Sequence, residues 1–207
     1  MAVTRLSIIN SMLRANGVDA VTSDDSTHPD VESCIPTLDD ADIEMQSRGW
    51  WFNTDWQLSI LPSVTGEIIL PANVLKADPC DRTLPYVRRG LKLYDPLNHT
   101  FAIGTTVSVD LVTRLEISDL PDTAGVYLRA LAVHKFYVAD DGDTQKAAEY
   151  LRDRNTAFAE LRREHLAALD LNIRRSPSVQ RVMQGFRPAS RVGYNPLWPG
   201  GRNPYEG

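Results

Sequence analysis

A glycine followed by three aromatic residues, Gly49-Trp50-Trp51-Phe52, separates two kinds of sequence pattern. Apolar residues recur at helical spacing before Gly49, whereas apolar and polar residues alternate after Phe52. Glycine enters the left-handed backbone region without a steric penalty, so Gly49 is predicted to end a helix. Trp50 and Phe52 supply large apolar area and are predicted to be buried where a helical part meets a β part. The stretch is therefore expected to organise the fold and not to catalyse.

The helical pattern occurs on both sides of a β region. Residues 4–16 and 29–49 are predicted helices, and Pro36 is expected to cause a kink or a late start in the second. Helical spacing returns at about residue 120 and again after Asp143, which is expected to cap the last helix. Apolar residues occur nearly all round the third helix, which indicates a buried central position.

The β region is predicted over residues 50–116. Its cleanest strand spans residues 106–115, where apolar and polar residues alternate. Short strands at this spacing indicate a small antiparallel sandwich or barrel. The predicted fold class is therefore α+β: a four-helix bundle of residues 1–49 and 117–171, with a small antiparallel β-sandwich or barrel domain inserted between the helix pairs and an extended C-terminal arm.

The predicted arm, residues 172–207, differs in composition from the rest. It holds five prolines and five glycines, which disfavour a core of its own, and six arginines against one glutamate. Its aromatic residues are predicted to contact a partner, because exposed Trp and Tyr are enriched at interfaces. The candidate partner-contact residues are Arg174, Arg175, Phe186, Tyr194, Trp198 and Tyr205.

Charge is distributed unevenly along the chain. The net charge is −5, but residues 172–207 carry +5 and residues 1–171 therefore carry −10. An acidic body argues against a surface that grips nucleic acid, because phosphate binding needs Lys and Arg. The basic arm is consistent with docking to an acidic surface or with a solvated terminus, and the sequence leaves both open.

The sequence holds no pattern typical of a catalytic, cofactor or metal site. His134 and His165 fall within predicted helices, where a packing role is expected, and the acidic run on the second helix, which includes Asp39 and Asp42, is expected to be a solvated face or a subunit contact. The chain is therefore predicted not to be an enzyme and to need no cofactor. No apolar run reaches the roughly 18 residues of a membrane span, and no signal-peptide core precedes the first helix, so a cytosolic product without a membrane segment is expected.

Three ordered motifs carry a resemblance to a known family. They are residues 46–53 (Gln-Ser-Arg-Gly-Trp-Trp-Phe-Asn), residues 86–95 (Tyr-Val-Arg-Arg-Gly-Leu-Lys-Leu-Tyr-Asp) and Leu120-Pro121 before a helix. In order and spacing they resemble the tail tubular protein A family, the head-to-tail adaptors of short-tailed, T7-like phages. The resemblance covers about residues 4–170, although Pro36 and the long Pro/Gly-rich end depart from it.

This resemblance implies a structural role in the virion tail, after assembly in the host cytoplasm. It implies a dodecameric ring that binds the portal protein above and the tail nozzle protein, tail tubular protein B, below. Genomic DNA would pass through an axial channel without sequence-specific binding. The alternative, from a different class, is a small soluble binding module or enzyme with a helical core and a β insert.

Overall fold

The structure is a computed structural model that describes residues 3–24, 28–139 and 143–175, with only the backbone described from residue 170. In chain order its elements are the helices α1 (Arg5–Ala15) and α2 (Pro29–Gln46), the strands β1 (Thr54–Ile60), β2 (Val74–Pro79), β3 (Val87–Arg89), β4 (Lys92–Tyr94) and β5 (Val107–Thr113), a 3-10 turn (Ile117–Asp119), and the helices α3 (Asp122–Ala139) and α4 (Thr144–Arg175). The fold is α+β, as predicted. The chain divides into two compact units, Met1–Leu166 and Ala167–Gly207, and the side-chain contacts described below lie within the first.

The first two helices begin as their sequences predict. Thr4 and Ser7 form a capping box at the start of α1, with the Ser7 N–H donating to Thr4 Oγ1 at 3.2 Å. Helix α2 begins at Pro29, a residue whose missing N–H suits the first turn. The helix then continues through Pro36, so the expected late start is wrong.

One hydrophobic cluster joins all four helices. Ile8 of α1, Leu38 of α2, Leu128 of α3 and Leu161 of α4 are all fully buried in it. Helix α3 contacts both α1 and α2, which explains its nearly continuous apolar surface. Its Gly125 is required by a close approach, because a Cβ there would lie 2.9 Å from the side chain of Val3.

The described strands form two antiparallel sheets. Strand β5 lies between β1 and β2 in a three-stranded sheet, and β3 pairs with β4 in a two-stranded one. Val107, Val109 and Leu111 of β5 are buried in a second hydrophobic cluster, as the alternation predicted. The described strands close no barrel, because β1 and β2 are the two edges of their sheet, so the barrel alternative is wrong.

The turn between α2 and β1 contains the glycine and the aromatic residues. Gly49 has a φ of +74°, and a Cβ added there would lie 3.1 Å from Cγ2 of Val112 on β5. Trp50 is only 4% exposed and packs in the helical cluster, whereas Phe52 is half-buried. The strand begins at Thr54 and not at Trp50, because residues 50–53 form a turn.

Helix α4 extends beyond the predicted end of the helical part. It continues to Arg175, so the predicted start of an extended arm at residue 172 is wrong, and Arg174 and Arg175 are the last residues of the helix. The other candidate partner-contact residues, Phe186, Tyr194, Trp198 and Tyr205, lie outside the described residues.

Trp50→Ala is expected to lower the free energy of unfolding by about 3–5 kcal/mol, because it empties a buried aromatic site. Phe52→Ala is expected to have a smaller effect, because that ring is half-buried. Trp56→Ala is the matched control, since its side chain is 58% exposed. Chemical denaturation of the three variants measures these losses, and equal losses for Trp50→Ala and Trp56→Ala would contradict the assignment of Trp50 to the core.

Candidate functional site

The described residues contain no group of three or more His, Cys, Asp or Glu side chains that could hold a metal ion. Both cysteines are free thiols. Burial, reinforced by the charge of Asp30, raises the pKa of Cys34 to about 11, so this thiol stays protonated. Burial also raises the pKa of Cys80, whose Sγ donates to Asp110 Oδ1 at 3.3 Å. Neither thiol is therefore activated as a nucleophile.

A network of charged side chains joins α2 to the end of β5. Arg114, directly after β5, donates from Nε to Asp42 Oδ2 at 2.7 Å and from Nη2 to Asp39 Oδ1 at 3.1 Å. Arg5 donates to the same Asp39 oxygen at 3.2 Å. Burial opposes the charged form of Arg114, but its hydrogen bonds and attraction to the two aspartates outweigh this effect and raise its pKa above the ordinary value.

Asp42 is the buried member of this network, at 1% exposure. It also accepts a hydrogen bond from Gln46 Nε2 at 2.7 Å. The interpretation of the α2 acidic run as a solvated face or subunit contact is therefore wrong for Asp42. Its position on the apolar stripe of α2, between Leu38 and Met45, is a sequence signal of that burial.

Two side-chain amides continue the hydrogen bonding where the strands end. Gln46 pairs with the backbone of Leu115, accepting from its N–H at 2.8 Å and donating to its carbonyl at 2.9 Å. Asn53 donates to the carbonyls of Gln46 and Thr113, each at 3.0 Å, and accepts from the Trp50 N–H at 2.8 Å. The helical and β parts are thus connected by directional bonds from partly or fully buried groups.

A cleft of about 380 Å³ lies beside this junction. Its charged lining includes Arg5, Asp39, Asp42 and Arg114, which already neutralise one another through the ion pairs described above. The lining includes no cysteine or histidine. The geometry therefore supports a structural junction.

His165 of α4 packs against the turn that contains the aromatic residues. Its Nδ1 accepts a hydrogen bond from the Trp51 N–H at 3.3 Å, and its ring meets the Trp50 ring edge-on at 5.3 Å. Burial lowers the pKa of His165 below its ordinary value of 6.5. Burial and then the charge of Arg154 lower the pKa of His134 as well. Both histidines are therefore neutral packing residues at pH 7.

Large apolar side chains are exposed along one edge of the three-stranded sheet. Trp56 and Leu58 of the edge strand β1 are 58% and 40% exposed, and Leu61 just after it is 76% exposed. We call these three residues the β1 edge surface. A bulge separates Trp56 from Leu58, because Gln57 has a φ of 55° and shifts the register with β5. An exposed apolar edge strand is a typical contact surface for another protein.

The predicted site residues thus lie in different places. Gly49, Trp50 and Phe52 are in the turn between α2 and β1, while Arg174 and Arg175 end α4. Sequence reasoning missed the junction residues and the β1 edge surface, because strand alternation does not show which face has a covering layer.

Comparison with known proteins supplies the family. A family model described as tail tubular protein matches residues 6–172. The chain is also 26% identical over 184 residues to tail tubular protein A of Klebsiella phage KP34, a match that covers 89% of this chain and 96% of the relative. Both matches include the helical and the β parts. No described helix is long and apolar enough to cross a membrane.

Arg114→Met is expected to lower the free energy of unfolding by about 3 kcal/mol, because it leaves the Asp42 carboxylate buried without its cation. Adding Asp42→Asn to this variant is expected to recover part of the loss. Lys76→Met is the matched control, since the Lys76–Asp78 ion pair is more than half exposed, and it is expected to cost under about 1 kcal/mol. Denaturant titrations of the four chains measure the difference, and equal losses for Arg114→Met and Lys76→Met would refute the role of the junction.

Stability is expected to fall as pH drops through 6.5. The folded state lowers the pKa of His165 and His134, so the unfolded chain binds more protons in this range and acid favours unfolding. His165→Asn is expected to flatten the pH dependence between 7.5 and about 5.5. His99→Asn is the control, because His99 is exposed and Asn tolerates its φ of 53°. Thermal melts across this range test the sign, and a stability that rises on acidification would contradict it.

Proposed function

We propose, because the chain belongs to the tail tubular protein family, that it is a structural head-to-tail adaptor. In this role identical copies form a ring that links the phage portal to the tail nozzle and surrounds part of the DNA ejection channel. The family match and the relative from a Klebsiella phage support a structural protein of the phage tail. The ring, its partners and its channel are the further content of the proposal.

The β1 edge surface is the observation that carries this assembly role. Trp56 is large, apolar and more than half exposed, and it lies on a strand whose outer edge has no partner among the described strands. Tryptophan is enriched at protein interfaces because its rigid ring buries a large area at little entropic cost. A chain that acts alone gains nothing from such an exposed edge, which favours aggregation.

The proposed partners are those of a dodecameric adaptor. They are further copies of this chain, the portal protein above, and the nozzle protein, tail tubular protein B, below. Genomic DNA passes through without sequence-specific binding, and the charge of −10 on residues 1–171 supports this, since an acidic wall repels the DNA backbone. The protein acts in the virion tail, after assembly in the host cytoplasm, with no catalytic role, cofactor or metal.

The fold supports a division of the subunit into a helical and a β region. We assign residues 1–49 and 117–171 to a helical bundle and residues 50–116 to an inserted β domain, because each contains most of one hydrophobic cluster. Trp50 is the exception, since it packs in the helical cluster. The remaining segment follows the end of α4 at Arg175. The proposed partner contacts are Arg174 and Arg175 at the end of that helix, and Phe186, Tyr194, Trp198 and Tyr205 beyond it.

The purified chain is expected to form a higher-mass species when mixed with portal protein, because portal and adaptor surfaces are complementary in the proposed tail. Light scattering after gel filtration measures the mass of each protein alone and of the mixture. Trp56→Ala with Leu58→Ala is expected to reduce this assembly, whereas Leu151→Ala, an exposed residue of α4, serves as the control. A chain that stays monomeric and ignores portal protein would overturn the adaptor role.

A further inference from the structure

A groove lies between α3 and α4, and the proposed adaptor contacts do not involve it. It consists of two adjoining hollows of about 460 and 410 Å³ that share Val126, Asp153 and Ala157. Val126 is 40% exposed on α3, and Ala157 is half-buried on α4. The floor of the groove is therefore apolar and open to solvent.

The rim of the second hollow carries only negative charges. Its charged lining residues are Asp122, Asp153 and Glu160, with no Lys or Arg among the residues that form it. Glu160 pairs with Arg163 at 2.7 Å, but among the described residues neither Asp122 nor Asp153 makes an ion pair. The first hollow differs, because Arg14 and Arg129 line it together with the shared Asp153. The proposal therefore concerns the second hollow, whose apolar floor beside Asp122 and Asp153 favours a ligand that offers an apolar group next to a cation.

We propose that residues 176–207 of a neighbouring copy dock in this groove. This rests on the proposed ring, which places identical copies side by side. The segment holds four arginines and one glutamate, a net charge of +3 that complements the acidic rim. Phe186 directly precedes Arg187, so an apolar ring and a cation are adjacent in the chain.

Length and composition also fit a segment that reaches another copy. When extended, residues 176–207 span on the order of 100 Å, which exceeds the width of a small domain. Their five prolines restrict the backbone and reduce the entropy lost when such a segment is ordered on a surface. In the proposed contact, Phe186 fills the second hollow beside Ala157, and Arg187 pairs with Asp153.

Cross-linking of mixed full-length chains tests the contact. One chain carries Ala157→Cys and the other carries Phe186→Cys, both with Cys80→Ser to remove the half-exposed native thiol. Mild oxidation is expected to give a disulfide-linked dimer on a non-reducing gel. Ala159→Cys, at an exposed α4 position outside the groove lining, is the matched control and is expected to give little dimer. Thr156→Cys, on the rim, repeats the test if Ala157→Cys disturbs folding.

Charge variants test the chemistry of the same contact. Asp122→Asn with Asp153→Asn is expected to lower the dimer yield about fivefold, whereas Glu149→Gln, an exposed acid of α4 outside the groove, is expected to leave it unchanged. If full-length protein forms a ring but Ala157→Cys and Ala159→Cys link equally well, the groove proposal is overturned and the adaptor role is not. A further variant carries Ala157→Cys and Phe186→Cys in the same chain, and a disulfide that forms within this chain without a gain in mass also overturns the proposal. If the full-length protein forms no ring at all, both the adaptor role and the docking to a neighbouring copy are overturned.

Discussion

The buried carboxylate of Asp42 is the constraint on which the two-part architecture depends. A carboxylate at 1% exposure is costly unless a cation and hydrogen-bond donors surround it. Arg114 supplies the cation from the end of β5, and Gln46 supplies a donor from the next turn of α2. These requirements are met only when the end of β5 lies against α2, so the charge holds the β part in one position on the helical part.

The polar groups around Asp42 extend that constraint over the whole junction. Gln46 bonds to the backbone of Leu115 just beyond β5, and Asn53 donates to the carbonyl of Thr113, the last residue of that strand. Hydrogen bonds are directional, whereas apolar packing tolerates sliding and rotation. A junction built this way sets the orientation of the two hydrophobic clusters relative to each other. In the proposed ring every copy makes the same contacts, which requires that uniformity.

The two surfaces singled out by the structure differ in chemistry. The β1 edge surface is apolar, with Trp56 at its centre, and suits burial against another folded surface. The groove between α3 and α4 combines an apolar floor with Asp122 and Asp153, and suits a short basic segment with an aromatic residue. The helical cluster supports both sides of this groove, so the groove does not require rearrangement of the core to receive a ligand.

The sequence alone determined the elements and their order. Thr4, Pro29 and Gly49 mark helix boundaries by local backbone chemistry, and the alternation of Val107, Val109 and Leu111 predicts a strand with one buried face. The ordered motifs also indicated the family, which the match over residues 6–172 shows. These signals are readable because they depend on residues close together in the chain.

Tertiary structure decided which of these elements and side chains contact one another. Asp42 and Arg114 lie far apart in sequence, and no local rule states that an aspartate on an apolar stripe will receive an arginine from a distant strand. Trp56 alternates like a core residue, yet it is 58% exposed on β1, an edge strand whose outer edge has no partner among the described strands. Helix α4 likewise continues to Arg175, although the composition after residue 171 predicted that the helix would end earlier. The burial of a side chain and the identity of its hydrogen-bond or ion-pair partner depend on contacts between residues far apart in sequence. Only the folded chain supplies those contacts.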